Sequence, residues 1–219
     1  MNTPVDAYAL IKERILSLEY APGTRLSEAR LAASLGLGRS PIRTALHRLA
    51  LEDWIIVQPQ SGSVVAHPDP TFIRELTELR AILEGFAAEK ATLALDDEAI
   101  RKLRHAYDAA AGADGTPDVD LVEAFDDLFH ETVYAFGGNK RIRLLLLNLR
   151  DQVRWLRRYN LIYRVRLRAS LEEMGVVVDA FERRDAPEAG RLAALHITNI
   201  GDAYGLGPTP GTETEDTEA

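Results

Sequence analysis

Ser27 to Leu49 reads SEARLAASLGLGRSPIRTALHRL, and its spacing decides the fold. Apolar residues recur at helical intervals before a glycine-rich turn (Leu31, Ala32, Leu35) and after it (Ile42, Ala45, Leu46, Leu49). Ser27 is expected to cap the first helix. Gly36 is expected to end it, because glycine takes the left-handed backbone of a helix stop without a Cβ clash. Ser40 is expected to cap the second helix, with Pro41 at its first position, where a missing N–H costs nothing. That helix then shows Arg39, Ser40, Arg43, Thr44, His47 and Arg48 as a polar, basic face. Two short helices around such a turn make a helix-turn-helix, which lays its second helix in the DNA major groove.

The flanks extend this into a winged helix. Upstream, residues 4–18 predict a helix with Val5, Tyr8, Ile11, Ile15 and Leu18 on its apolar face, broken by Tyr20-Ala-Pro-Gly23. Downstream, Trp54–Gln58 and Ser63–His67 read as strands joined at Pro59-Gln-Ser-Gly62. Gly62 would let the wing tip lie close to a phosphate backbone. Beyond residue 69 the periodicity is helical throughout. One helix is expected over about 70–95, with Phe72, Leu76, Leu79, Leu83 and Phe86 inward, and another over about 97–111. A third, about 118–136, buries Val122, Phe125, Phe129 and Val133. A long helix from Asn139 to about 166, with Leu145 among its inward residues, one capped by Ser170 and running to Arg184, and one opened by Pro187 complete the set.

The expected fold class is therefore mainly α. A winged helix-turn-helix occupies residues 1–68 and an all-α helical bundle 69–205. Residues 206–219 carry four acids and few apolar groups, too little to bury, and are expected to be a disordered acidic tail.

The chain has 219 residues, 46% hydrophobic, enough for real cores in two modest domains. Cysteine is absent, which excludes a disulfide framework and a thiolate metal site. No apolar run approaches the roughly 20 residues of a membrane span, and Asp6, Lys12, Glu13 and Arg14 interrupt any signal-like segment, so a cytoplasmic protein is expected. The net charge of −8 argues against nucleic acid until it is divided. Residues 1–68 hold seven Lys/Arg and six Asp/Glu, a balance of +1; the remainder holds 19 and 28, a balance of −9. Phosphate binding depends on local positive charge, so an acidic protein can still carry a DNA reader.

Two constellations bear chemistry. Arg39 and Arg43 share a helix face, and arginine can contact guanine O6 and N7 together or grip phosphate. Ser40 and Thr44 can bond phosphate or base edges. Arg25 and Arg30 either touch phosphate or lie in water. In the helical part, Asp126 and His130 are four apart on one helix, and His196 falls in line with Leu192 and Asn199 on the last. Two histidines and a carboxylate suit a divalent ion. Spacing alone does not separate such a site from hydrogen-bonded core histidines, which are commoner.

Residues 8–67 resemble the winged helix of the GntR family of bacterial transcription regulators. The run that carries the resemblance is Pro22-Gly23, Leu26-Ser27-Glu28, Leu31-Ala32, Leu35-Gly36-Leu37-Gly38-Arg39-Ser40-Pro41-Ile42-Arg43, Ala45-Leu46 and Leu49, then Trp54 and Gly62. The resemblance implies operator binding as a homodimer, with Arg39 and Arg43 reading the site. The residue after Glu28, often arginine in relatives, is Ala29 here, so no DNA contact is assigned to it.

About residues 70–200 resemble, more loosely, the FadR-type C-terminal ligand domain called FCD, through Arg80 and Glu84, Asp126, Phe129-His130, Asn139, Ser170-Leu171-Glu172-Glu173 and His196. Many such domains hold a metal through one aspartate and three histidines. Asp126, His130 and His196 match three of these positions, and Met174 stands at the fourth. A thioether is a poor ligand for a Zn, Ni or Mn class ion. Met174 therefore either borders the effector or belongs to the apolar stripe of Leu171, Val178 and Phe181. Arg80 either pairs with an effector carboxylate or forms a helix-surface salt bridge with Glu84.

The resulting expectation is a transcriptional repressor of the FadR subfamily with an all-α helical-bundle effector domain. It would bind a pseudo-palindromic double-stranded operator in a bacterial cytoplasm and be modulated by an organic or sugar acid, held either through a divalent ion or in a metal-free pocket by hydrogen bonds from His130 and His196, with no membrane partner. Two alternatives stand beside it. One is a metal-dependent enzyme using Asp126, His130 and His196, which leaves the winged helix unexplained. The other is a DNA-binding dimer whose helical domain is degenerate and ligand-blind.

Overall fold

The structure, a computed structural model, describes residues 6–58, 62–112, 117–159 and 162–206. Val5, most of the wing turn (59–61) and the acidic tail from 207 lie outside the described residues. The chain divides into two compact units, residues 1–68 with 151–159, and residues 69–150 with 160–219.

The first unit begins with α1 (Ala7–Leu16), capped by the Asp6 carboxylate accepting from the Tyr8 N–H. Next come β1 (Arg25–Leu26), α2 (Glu28–Leu35), α3 (Arg39–Leu51), β2 (Ile55–Gln58) and β3 (Gly62–Val65). The strands form one antiparallel sheet in the order β1-β3-β2, with Ile55 opposite Val65 and Gln58 opposite Gly62. β1 pairs Arg25 with Val64 and Leu26 with Ser63. A two-residue strand is too short to show alternation, so periodicity does not reveal it. Ile11, Ile15, Ile42, Leu49, Trp54 and Val65 form a fully buried core.

Gly36 ends α2 in the left-handed conformation (φ 66°), as expected. The caps differ from expectation. Ser27 occupies the cap position of α2 without a side-chain cap bond. The cap of α3 is Gly38, which moves Ser40 and Pro41 inside the first turn. The N–H groups of a whole first turn lack helical partners, so proline fits several of its positions and does not fix the start.

The second unit contains α4 (Pro70–Ala94), α5 (Asp97–Ala111), α6 (Val119–Phe136), α8 (Ile162–Glu182), α9 (Ala186–Leu206) and the first half of α7 (Lys140–Tyr159). Asp69, Asp96 and Asp118 cap α4, α5 and α6 by accepting backbone N–H bonds. Asn139 does the same before α7. Phe125, Phe129, Leu146, Met174, Val178 and Phe181 make the core.

Several expectations fail in this unit. The helix expected from Asn139 to about 166 ends as α7 at Tyr159, and the residues from Ile162 belong to α8. Ser170 does not cap a helix; it is buried inside α8, among good helix formers that carry the helix through it. The inward face of α4 is also rotated. Leu79 and Phe86 are exposed; Leu76 is buried as expected, and Ile73, Thr77, Arg80, Glu84 and Ala88 are buried beside it. The cause is close packing of α9: a Cβ at Gly85 would stand 3.0 Å from the Gly190 carbonyl oxygen, and one at Gly190 would stand 2.9 Å from that of Gly85. Backbones this near leave room only for small side chains on the shared face. On α7, Leu146 is buried and Leu145 exposed, a shift of one residue.

Candidate functional site

The helix-turn-helix presents its polar face outward. Arg39, Ser40, Arg43, Thr44, His47 and Arg48 are all exposed, while Ile42, Ala45, Leu46 and Leu49 anchor α3 from the opposite side. Arg25, Arg30 and Gly62 are exposed too. Gly62 has φ 86°, a conformation that favours glycine at the wing. Two of the arginines are already engaged. Arg48 lies over the Tyr8 ring at 3.7 Å and donates from Nε to Glu52, so it braces α3 against α1. Arg43 donates to Glu28 at the start of α2, Nε to Oε1 at 3.0 Å and Nη2 to Oε2 at 2.9 Å. The Arg43 bond holds the Glu28 carboxyl below the usual range.

The helical unit assembles a second constellation, in which Arg80, Glu84, Asp126, His130, Tyr134 and His196 are buried. Arg80 and Glu84 form an ion pair at 2.6 Å with each side chain 3% exposed, so the expected surface salt bridge is instead an interior one. Glu84 also accepts from the Tyr134 hydroxyl at 3.1 Å. His130 Nδ1 lies 2.9 Å from Glu84 Oε2, short of the alignment of a full hydrogen bond, and its Nε2 lies 3.7 Å from Asp126 Oδ1. The His196 ring sits 6.2 Å from that of His130, centre to centre. His196 Nδ1 lies 2.8 Å from Glu173 Oε2, and Glu173 is further held by Asn199 and Arg166. Asp126, His130 and His196, expected together, are therefore brought into one neighbourhood.

Burial alone would raise the Glu84 pKa, but Arg80 and His130 outweigh it and hold Glu84 ionised. Burial, then the Glu84 charge, push the Tyr134 phenol up, so it stays a neutral donor. Burial raises Glu173 as well, and His196 and Asn199 bring it net down. His196 is lowered by burial against the pull of Glu173, so its imidazole is neutral. Facing an ionised carboxylate, that imidazole carries its proton on Nδ1. Its buried Nε2 keeps a lone pair, and no partner among the described residues meets it.

Tyr134, Glu173 and Asn199 were not assigned roles from sequence, and Glu84 was assigned only as a salt-bridge partner of Arg80. Helical spacing could have flagged two of them: Tyr134 is four residues after His130, and Asn199 three after His196. Met174 is completely buried in the hydrophobic core, which favours the apolar-stripe account of it. Among the described residues, no group of three or more His, Cys, Asp and Glu side chains is arranged to hold a metal ion. A cleft of ≈ 700 Å³ lies elsewhere, lined by Ile73, Arg74, Thr77, Glu78, Thr198 and Gly201 among others, and no member of the buried constellation lines it. No helix among the described residues is long and apolar enough to cross a membrane.

An exposed, capped reading helix beside a wing, on a chain whose helical bundle encloses a polar site, defines a ligand-responsive DNA-binding regulator. The comparisons with known proteins agree. Residues 4–65 match the gntR family of bacterial regulatory proteins, and residues 75–199 match the FCD domain. The chain belongs to the GntR family and carries an FCD domain. A Streptomyces ambofaciens protein described as an uncharacterized HTH-type transcriptional regulator is 29% identical over 90% of this chain and 83% of its own. The gluconate operon transcriptional repressor of Bacillus licheniformis is 31% identical over 83% of this chain and 73% of its own. Among solved structures, E. coli McbR/YncC superposes with a TM-score of 0.66 at 21% identity, covering 93% of this chain and 98% of that one, which supports the fold. The protein is a transcriptional regulator and not an enzyme, which removes the metal-dependent enzyme alternative.

Proposed function

We propose that this regulator is a FadR-type repressor that binds a pseudo-palindromic operator as a homodimer in the cytoplasm. Residues 1–68 form its reading head and 69–205 its effector-binding part. Binding of a small organic or sugar acid at the buried constellation, assisted by a divalent ion, changes its affinity for DNA. Arg39, Ser40, Arg43 and Thr44 read the major groove, Gly62 brings the wing to the backbone, and Arg25 and Arg30 add phosphate contacts.

The observation that carries the effector reading is the state of the two histidines. His130 Nε2 is buried 3.7 Å from Asp126 Oδ1, beyond hydrogen-bond distance, and no hydrogen-bond partner among the described residues meets it. His196 Nε2 is likewise buried without a described hydrogen-bond partner. Buried polar atoms left this way cost free energy, and a cation between them removes the cost. The donor chemistry of Asp126, His130 and His196 suits an ion of the Zn, Ni or Mn class. Glu84 and Glu173, each against an Nδ1, have the role of carboxylates that orient metal-binding imidazoles. A bound ion would supply Lewis acidity toward an effector carboxylate. Arg80 is paired with Glu84, so its charge is not free to draw in an anion by itself, and a cation would supply that attraction. With Arg80, Glu84, Asp126, His130, Tyr134 and His196 2–3% exposed, entry requires side-chain or helix movement, the kind of differential binding that shifts a conformational equilibrium.

Repression and a sugar-acid effector draw support from the gluconate operon repressors of B. licheniformis and B. subtilis. The homodimer draws support from Leu79, Ile82, Phe86 and Leu93, which form an exposed apolar stripe along one side of α4. Thermal denaturation of the full chain with gluconate, citrate and related acids, with and without Zn, Ni or Mn salts, tests the site. Stabilisation that needs both acid and ion, disappears with EDTA, and is absent in His196→Ala is expected. No stabilisation under any combination would leave the ligand-blind reading in its place.

A further inference from the structure

We infer that Glu28 is a positioning residue for base recognition: its carboxylate grips one edge of the Arg43 guanidinium and aims the opposite edge at a guanine. This rests on the reading of α3 as the recognition helix and adds the residue that directs it.

Arg43 is 72% exposed, so on its own it is a long side chain with many rotamers. It is not left to sample them. Glu28 accepts from Nε and from Nη2, two bonds on a single edge of a planar group, and so fixes the plane of the guanidinium as well as its place. The donors left over are the Nη1 pair and the second hydrogen of Nη2. These form the end-on fork that matches guanine O6 and N7. The grip and the base contact therefore use different hydrogens and can coexist.

The placement is suited to the task. Glu28 opens α2 and Arg43 lies on α3, so the pair spans the two helices of the motif and ties the aim of the arginine to the angle between them. Glu28 is in the first turn of α2, where the positive helix end favours a carboxylate. Its charge also discourages Arg43 from turning to a phosphate, which carries no sequence information. A purely structural surface pair would contribute little to stability and nothing to base preference. A decoy that merely competes with DNA for Arg43 would weaken binding to all sequences alike.

The test uses the full chain. A pool of randomised duplexes is selected with the wild-type protein. Affinities for the selected duplex, and for versions changed at each base pair, are then measured by fluorescence anisotropy for wild type, Arg43→Ala, Glu28→Ala and the double variant. Arg43→Ala is expected to lose its preference at a G·C pair in each half-site. Glu28→Ala is expected to lose preference by about tenfold at that same pair, with an unchanged melting temperature, and the double variant to be no worse than Arg43→Ala. If Glu28→Ala keeps the preference that Arg43→Ala loses, binds all sequences more tightly with preference intact, or weakens on all sequences equally, the positioning role is overturned while the recognition helix stands. If Arg43→Ala itself keeps every preference, the recognition reading falls and takes the proposal with it.

Discussion

Two arginine–glutamate pairs in this protein share their chemistry and differ in everything else. Arg43 and Glu28 join two helices at the surface, with side chains 72% and 36% exposed. Arg80 and Glu84 sit one turn apart on a single helix, each 3% exposed. Water can replace either partner of the first pair, so losing the pair costs the fold little, and the outer edge of the held arginine stays open to solvent. The second pair lies in a poor solvent for charges, so removing one partner is costly. The same two residue types thus make an exposed, oriented arginine in one unit and a fixed interior ion pair in the other.

Breaking the buried pair should have the largest effect. Glu84→Ala removes the interior carboxylate that faces Arg80, His130 and Tyr134, and urea denaturation should show a loss of about 3–5 kcal/mol. Replacing both residues by apolar ones of similar size should restore most of that; failure to do so would mean that more than charge compensation is lost. Next comes the surface pair, where Arg43→Ala should cost about 1–3 kcal/mol of operator binding by anisotropy. A third handle is pH. The folded-state pKa of Glu84 lies below its ordinary value, so its contribution to stability is complete above the unfolded value of about 4.3 and is lost as pH falls toward the folded one. Denaturation midpoints from pH 6 downward should fall less steeply in Glu84→Gln than in wild type. The smallest expected effect sharpens the comparison most: Arg43→Ala should change folding stability by less than about 0.5 kcal/mol. A loss comparable to that of Glu84→Ala would erase the distinction drawn between the two pairs.

The two constellations were not equally legible. The reader could be found because its signal is local: Gly36 marks a stop, and Ile42, Ala45, Leu46 and Leu49 define one face and therefore the other. Even there Pro41 misplaced the start of α3, because proline suits any position in a first turn whose N–H groups lack helical partners. In the helical unit, Asp126 and His130 could be paired by spacing, and His196 joined them through family likeness. Their carboxylate partners could not be assigned in the same way. Glu84 looked like half of a surface salt bridge because Phe72, Leu79, Leu83 and Phe86 gave α4 a more obvious apolar face. The packing of Gly85 on Gly190 turned a different face inward and took Arg80 and Glu84 with it.

The sequence by itself determined the helical character of the chain beyond residue 69, the helix-turn-helix with its wing hairpin and the basic face of α3, because helix periodicity and glycine stops act over a few residues and do not depend on what packs against them; the motif run from Pro22 to Gly62 carried the family. The tertiary structure decided which side of α4 is buried, that Glu28 holds Arg43, and that Glu84 and Glu173 stand behind the two histidines. Glu28 reaches Arg43 across 15 positions, and Glu173 reaches His196 across 23. Contacts of that kind are set by how helices approach one another, through backbone clearance and side-chain volume, and no local rule carries that information.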